Sequence, residues 1–241
     1  MLTINQLSKS FLNGKESISV LHEISSKIHA GEFVMVMGES GAGKSTFLNC
    51  ISTLDKPTSG EVLLDGKNLL KYTKNEVQKI RLHDLGFIFQ ENHMIETLTM
   101  IENIMIAKLQ IDENAKEDAI DLMKQLRIDH VAYKHPYQIS GGERQRCAIA
   151  RALINKPKVL FADEPTASLN PTVAKEIMEI LETLNKQGQT IVMVTHSIKM
   201  ASYGSRLLLL SGGKFTVDES LINLNEHERV DKIVSLAVDV L

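Results

Sequence analysis

The sequence predicts an α/β fold built around a mostly parallel sheet, and three observations predict it. Short apolar runs without internal alternation recur at Phe33–Met37, Val159–Ala162, Ile191–Thr195 and Leu207–Leu210. That is the pattern of parallel strands buried on both faces. Helical stretches at Pro171–Gln187 and around Ile198–Gly204 separate the later runs, and alternating strands and helices give the crossovers of a parallel sheet. The first run leads directly into a glycine-rich loop and then a helical pattern at Thr46–Ile51.

Taken in order, the N-terminal third reads as strands at Leu2–Leu7, Ser17–Leu21 and Ile24–His29, with turn signals at Asn13-Gly14 and Ala30-Gly31. A hairpin-like unit follows, Glu61–Leu64 ahead of Asp65-Gly66. Gly86–Phe89 is a short strand closed by Gln90, and the segment from Glu91 to Asn155 is helix-rich. The expectation is one domain over residues 1–241. Residues 1–90 and 153–216 form the α/β core with an N-terminal antiparallel β subdomain. Residues 91–152 form an inserted α-helical subdomain, and 217–241 an acidic tail.

Composition narrows the class. With 43% hydrophobic and 24% charged residues, the chain is expected to be a soluble globular protein. Its apolar runs are too short to span a bilayer, and MLTINQLSKSF lacks the apolar core of a signal peptide. Two cysteines, Cys50 and Cys147, make no disulfide scaffold and no metal motif, so buried reduced thiols are expected. The net charge of −3 offers no nucleic-acid footprint. Most of it lies in Val217–Leu241, with six acids against two bases; the rest carries 25 basic and 24 acidic residues. Val230, Val234, Ala237/Val238 and Leu241 recur at helical spacing, which predicts a C-terminal amphipathic helix packed on the body or a partner.

Gly38-Glu39-Ser40-Gly41-Ala42-Gly43-Lys44-Ser45 fits the G-x-x-x-x-G-K-[ST] phosphate-binding pattern in full, between a strand and a helix. Its glycines let successive backbone N–H groups turn inward as an anion nest, and the helix N-terminus adds its positive end. Lys44 suits the β- and γ-phosphates and Ser45 suits Mg²⁺. Guanine specificity is not supported, because Asn155-Lys156-Pro157-Lys158 and Asn185-Lys186-Gln187-Gly188 both lack the Asp of N-K-x-D.

The apolar run at Val159–Ala162 ends in Asp163-Glu164. Strand alternation sends these carboxylates to opposite sides, leaving Asp163 for Mg²⁺ and Glu164 to polarise an attacking water. His196 follows the run at Ile191–Thr195, at the strand end where open α/β sheets bind ligands.

Ile139-Ser140-Gly141-Gly142-Glu143-Arg144-Gln145-Arg146 resembles the signature of ATP-binding-cassette (ABC) ATPases, and the resemblance extends over roughly Leu2–Phe215. It implies a P-loop NTPase, RecA-like core. It also implies ATP and Mg²⁺ as ligands, and a second copy of the chain closing a head-to-tail sandwich around two ATP molecules. In that likeness Phe11 stacks on adenine, Lys44, Ser45 and Thr46 hold phosphates and Mg²⁺, and Gln90 links metal and water to the helical subdomain. Asp163 organises Mg²⁺, Glu164 is the base and His196 senses the γ-phosphate. Ser140, Gly141 and Gly142 open a helix onto the γ-phosphate held by the other copy. The sequence departs from the usual pattern at three places: Phe11 for Tyr, Glu143 for Gln and Asn170 for Asp.

Lys44 and Ser140 are too close in sequence for a coiled-coil insertion, and there is one cassette. The chain therefore resembles the ATPase subunit of a transporter, cytoplasmic and peripheral at the inner face of the membrane, with a separate permease and no nucleic-acid partner. The region around Asn92–Met100 would help receive the permease; alternatively Met94, Met100, Ile101, Ile104 and Met105 fill the subdomain's own core. Pro57-Thr58-Ser59-Gly60-Glu61 and Leu85–Gln90 resemble the group of macrolide exporters, lipoprotein-release ATPases and bacitracin-type resistance transporters. His135–Gly142 and Met193–His196 with Ala201-Ser202-Tyr203 look most like the peptide-resistance branch.

Overall fold

The computed structural model describes residues 1–14, 16–108 and 114–238. Two long strands begin the chain, β1 (Leu2–Asn13) and β2 (Glu16–Ile28), followed by β3 (Phe33–Met37). Next come α1 (Lys44–Ile51), β4 (Ser59–Leu64), β5 (Lys67–Asn68), α2 (Lys74–His83) and β6 (Leu85–Ile88). Among the described residues three α-helices then lie between β6 and β7: α3 (Met100–Met105), α4 (Ala115–Gln125) and α5 (Gly141–Leu153). The remaining elements are β7 (Val159–Asp163), α6 (Pro171–Lys186), β8 (Thr190–Val194), α7 (Ile198–Ala201), β9 (Arg206–Ser211), β10 (Lys214–Ser220) and α8 (Glu226–Ala237).

The main sheet has the order β10-β9-β3-β8-β7-β6. Its β9, β3, β8, β7 and β6 are parallel, and β10 is an antiparallel edge. The apolar runs are continuous because each strand feeds two cores. Phe33, Met35 and Met37 face α3, α5 and α6, while Val34 and Val36 face α1 and the second sheet. That second sheet, β2-β1-β4-β5, is antiparallel throughout. Burying one such aliphatic side chain contributes roughly 1.5–3 kcal/mol, so the strand ends that carry the chemistry are fixed from both faces. Cys50 and Cys147 are both fully buried and free, as the sequence predicts.

Several elements differ from the sequence reading. The separate strands expected at Ser17–Leu21 and Ile24–His29 are one strand, β2, and β1 runs on past Leu7 to Asn13. Irregular register absorbs the breaks in the apolar pattern, with left-handed backbone at Gln6 and Glu23. Helix α2 was not expected, although Thr73 and Glu76 form a reciprocal cap at its start. The helix expected at Ile198–Gly204 is confined to the single turn of α7. Strand β10 crosses the boundary expected at 216/217, pairing Asp218 and Glu219 with Leu208 and Leu207.

The expected C-terminal helix is α8, but its buried face is turned. Ile233 and Ala237 are buried, whereas Val234 and Val238 are exposed; Leu241 lies outside the described residues. Arg229 aims the helix, donating to the carbonyls of Leu221, Leu224 and Ser202. Of the apolar residues considered for the groove, Met100, Ile101 and Ile104 are buried in the core, and Met94 and Met105 pack partly against it.

Candidate functional site

Strand β3 ends in Met37, and the glycine-rich loop turns over the top of the sheet. A Cβ on Gly38 would lie 2.1 Å from the Leu210 carbonyl oxygen of β9, so only glycine passes there. Gly43 is left-handed at φ 100°, and a Cβ on it would sit 3.0 Å from side-chain atoms of both Val20 and Leu21 on β2. The loop is thereby clamped between the two sheets. Lys44 opens α1 and is 8% exposed; its Nζ donates to the carbonyls of Gly38 and Glu39, both at 2.8 Å. The cation thus braces the loop from inside. Glu39, Ser40, Gly41 and Ser45 are exposed, while Ala42, Gly43 and Thr46 are half-buried.

β7 carries the two carboxylates to the same end of the sheet. Ser45 Oγ donates to Asp163 Oδ1 at 3.1 Å, joining the loop to β7. Burial pushes the Asp163 carboxyl above its ordinary range, and the Ser45 hydrogen bond opposes that shift. Glu164 diverges for a reason other than the expected strand alternation: β7 stops at Asp163, and Glu164 is left-handed at φ 44°. Its N–H donates to the Val194 carbonyl of β8. Its Oε2 lies 3.1 Å from His196 Nδ1. His196 follows β8 and precedes the cap of α7, where Ser197 accepts from the Met200 N–H. The structure therefore gathers two pairs, Ser45 with Asp163 and Glu164 with His196.

Gln90 leaves β6 at the same end, since Ile88 lies opposite Ala162 in the β6–β7 register. It is exposed, and among the described residues no hydrogen bond ties it to Ser45 or Asp163. The residues beyond it are anchored by two side chains that sequence reasoning missed. Asn103, fully buried, accepts from the Ile95 N–H and donates to the carbonyls of Ile95, Leu98 and Thr99. Arg151 on α5 donates to the carbonyls of Asn92 and His93. Phe11 is 42% exposed on β1, opposite Ile18 of β2. Strand β2 also packs on Gly43 through Val20, so Phe11 lies on the strand pair that flanks the phosphate loop. Lys9 Nζ lies 4.7 Å from its centroid.

Ser140, Gly141 and Gly142 start α5, with Ser140 as N-cap. The Ser140 N–H and hydroxyl both donate to Glu143 Oε2, at 2.8 and 2.7 Å. Those hydrogen bonds, the hydroxyl's foremost, hold the Glu143 carboxyl down to about 2, and the His130 contact assists. A Cβ on Gly142 would meet Val173 Cγ1 of α6 at 2.6 Å. Asn170, where the family pattern has Asp, caps α6 by accepting from the Val173 N–H at 3.0 Å. An Asp there would make the same bond.

The oxygen donors of Ser45 and Asp163 fit Mg²⁺, a hard ion that binds few carboxylates and keeps water and phosphate oxygens. Burial of the Asp163 carboxyl fits the same ion, because a cation there would favour its charged form. Among the described residues no group of three or more His, Cys, Asp or Glu is gathered to cage a metal.

Residues 21–167 match the family model described as ABC transporter. An uncharacterized ABC transporter ATP-binding protein of Bacillus subtilis, YvrO, is 39% identical over 223 residues, 91% of this chain and 97% of that protein. The lipoprotein-releasing system ATP-binding protein LolD of Buchnera aphidicola is 41% identical, over 86% of this chain and 93% of LolD. Among solved structures, the dimeric post-hydrolysis state of the ATP-binding cassette MJ0796, bound to ADP and Pi, is similar at TM-score 0.85 and 38% identity. It covers 92% of this chain and 99% of that one.

Proposed function

We propose that this chain, which belongs to the ABC transporter family and is an ATPase, pairs with a second copy of itself around two ATP molecules and drives a separate membrane permease. The observation that carries the chemistry is the split at the strand ends. Asp163 pairs with Ser45 of the phosphate loop, and Glu164 pairs with His196.

In this reading Ser45 and Asp163 would hold Mg²⁺, which when bound would neutralise charge on the β- and γ-phosphate oxygens. Lys44 and the loop N–H groups bind the phosphates, and Thr46 follows them at the start of α1. Phe11 stacks on the adenine. Glu164 takes a proton from the attacking water as general base. His196 orients that carboxylate and reaches the γ-phosphate. Gln90 reports on the site to the helices after β6, through the loop that Arg151 and Asn103 anchor.

The dimer is supported by the dimeric MJ0796 relative and by where the two anion sites rest. The Lys44 loop packs on β9 and β2, whereas Gly142 packs on α6 and Gly141 beside Leu169. One chain's signature can then serve the other's phosphate. The separate permease is supported by the likeness to YvrO and LolD, each an ATP-binding protein that this chain covers to 97% and 93% of its length. The chain would sit at the inner face of the cell membrane.

The substrate reading is resistance to, or export of, bacitracin- or lantibiotic-type antimicrobial peptides. Its support is the likeness of His135–Gly142 and Met193–His196 to that branch. The identity with LolD supports lipoprotein release as the second reading. Copurification from membranes tests the transporter role: an integral membrane partner is expected, and a stable ribosome or DNA complex would instead indicate a regulatory ABC protein. ATPase stimulation of that complex by bacitracin rather than by a lipoprotein separates the two substrates. Glu164→Gln should stop turnover and trap an ATP-bound dimer; steady ATPase activity in that variant would remove Glu164 as base.

A further inference from the structure

We propose that His130 is a positioning residue for the signature serine, acting through Glu143, and that its charge favours closure of the ATP-bound dimer. This rests on the proposed ATP-sandwich dimer.

The geometry forms a three-membered chain. His130 Nε2 lies 2.8 Å from Glu143 Oε1. The other oxygen of the same carboxylate accepts both the N–H and the hydroxyl of Ser140. Glu143 N–H donates back to Ser140 Oγ at 3.3 Å. The Ser140 proton is therefore committed to Glu143 in the free chain. The first N–H groups of an α-helix have no partner within the helix, so those of Gly141 and Gly142 remain available to an incoming anion.

Two consequences follow for a γ-phosphate presented by a second copy. Ser140 must release Glu143 before its hydroxyl can donate to the phosphate. The Glu143 carboxylate, at the third position of the helix, then stands beside that phosphate as a like charge. Protonated His130 offsets the carboxylate and holds its other oxygen away from the helix start. Neutral His130 offers a hydrogen bond but no compensating charge. The groups that act on Glu143 are Ser140 and His130; the Cys147 thiol one turn further along α5 feels the Glu143 charge, and burial keeps that thiol protonated. His130 comes from the short turn Asp129–Val131, outside α5. It can therefore respond without disturbing the helix.

The test uses the full chain carrying Glu164→Gln, with ATP and Mg²⁺, and measures the dimer constant by sedimentation from about pH 8 to about pH 6, across which imidazoles gain their proton. Three proteins are compared: this parent, the parent with His130→Gln, and the parent with Glu143→Gln. Every other titrating group is common to the three proteins. An exposed ion pair is worth roughly a two- to fivefold change at each site, and a symmetric dimer has two such sites. The parent is expected to gain affinity on acidification by roughly four- to 25-fold more than either variant. A His130→Lys form, which keeps a cation at all these pH values, should show the parent's low-pH affinity at pH 8. Equal pH slopes in parent and variants overturn the proposal, as does a Lys form no tighter than the Gln form at pH 8. If the parent forms no ATP-dependent dimer at any pH, the sandwich reading fails and this inference falls with it.

Discussion

Gly142→Ala should change sign with the identity of residue 173, and the contact explains why. Ala in a helix is favoured over Gly by about 1 kcal/mol, so the substitution would stabilise α5 in open space. Here the new methyl would sit 2.6 Å from Val173 Cγ1, when carbon pairs are comfortable at about 3.5–4.0 Å. The two helices must part by about 1 Å. Val173 cannot yield readily, since its own N–H is held by the Asn170 cap and its β-branched side chain is stiff. Overpacking of this kind costs about 1–3 kcal/mol, which outweighs the helical gain. Gly142→Ala alone should therefore destabilise by about 1 kcal/mol. Val173→Ala alone should also destabilise, by about 1 kcal/mol. In the Val173→Ala background the clash is gone, and Gly142→Ala should now stabilise by a few tenths of a kcal/mol or more. Urea midpoints of the four proteins measure this cycle. A Gly142→Ala effect of the same sign in both backgrounds would refute the contact argument. ATPase activity should fall in the single Gly142 variant, because the shift displaces the N–H groups beside Ser140.

Asn170→Asp should leave stability unchanged within about 0.5 kcal/mol, while Asn170→Ala should cost about 1 kcal/mol through loss of the α6 cap; thermal melts distinguish them. Ending the chain at Asn223 removes α8 and its buried Ile233 and Ala237, at about 2–4 kcal/mol, yet should leave ATP affinity intact in calorimetric titration. Ending it at Gly213 also removes Phe215, whose ring meets Phe47 of α1 edge-on at 5.0 Å, and should abolish ATP binding. The Glu143 carboxyl is held at about 2 in the folded chain against 4.5 for a free group. Its contribution to stability is therefore fully present above about pH 4.5 and is lost as pH falls towards 2. Urea midpoints at pH 5 and pH 3 should show a smaller drop for Glu143→Gln than for the unaltered chain.

The legible parts of this molecule are those whose chemistry is local to a few consecutive residues. The phosphate loop, the signature and the Asp163-Glu164 pair announce themselves because backbone N–H nests, helix starts and strand ends are made by contiguous sequence. Helix α2 was missed although Thr73 and Glu76 are the same kind of local start, and so was β10, although polar and apolar residues alternate from Lys214 to Val217. Asn103 and Arg151 were not legible. Their partners are carbonyls whose positions depend on how the chain after β6 is laid against α5, and no spacing rule encodes that. The buried face of α8 was misread by one residue, because Arg229 fixes its rotation through carbonyls of other elements.

Glu164 shows most sharply where pattern reasoning stops. Strand alternation gave the right outcome, two carboxylates with different partners, for a reason the backbone does not bear out. A non-glycine residue held left-handed costs of order 1–3 kcal/mol, and β7 could continue one residue further without that cost. In the turned position the Glu164 N–H still donates to Val194 on the neighbouring strand, while its carboxylate meets His196 at that strand's end. Both partners come from β8 and the residues after it. An ordinary extended residue would alternate away from Asp163 across the sheet, with nothing to bring its carboxylate to His196. The left-handed turn brings the two together at the strand end where Ser45 meets Asp163. The local rule therefore fails at the position where one strand must supply both a metal-holding acid and a base.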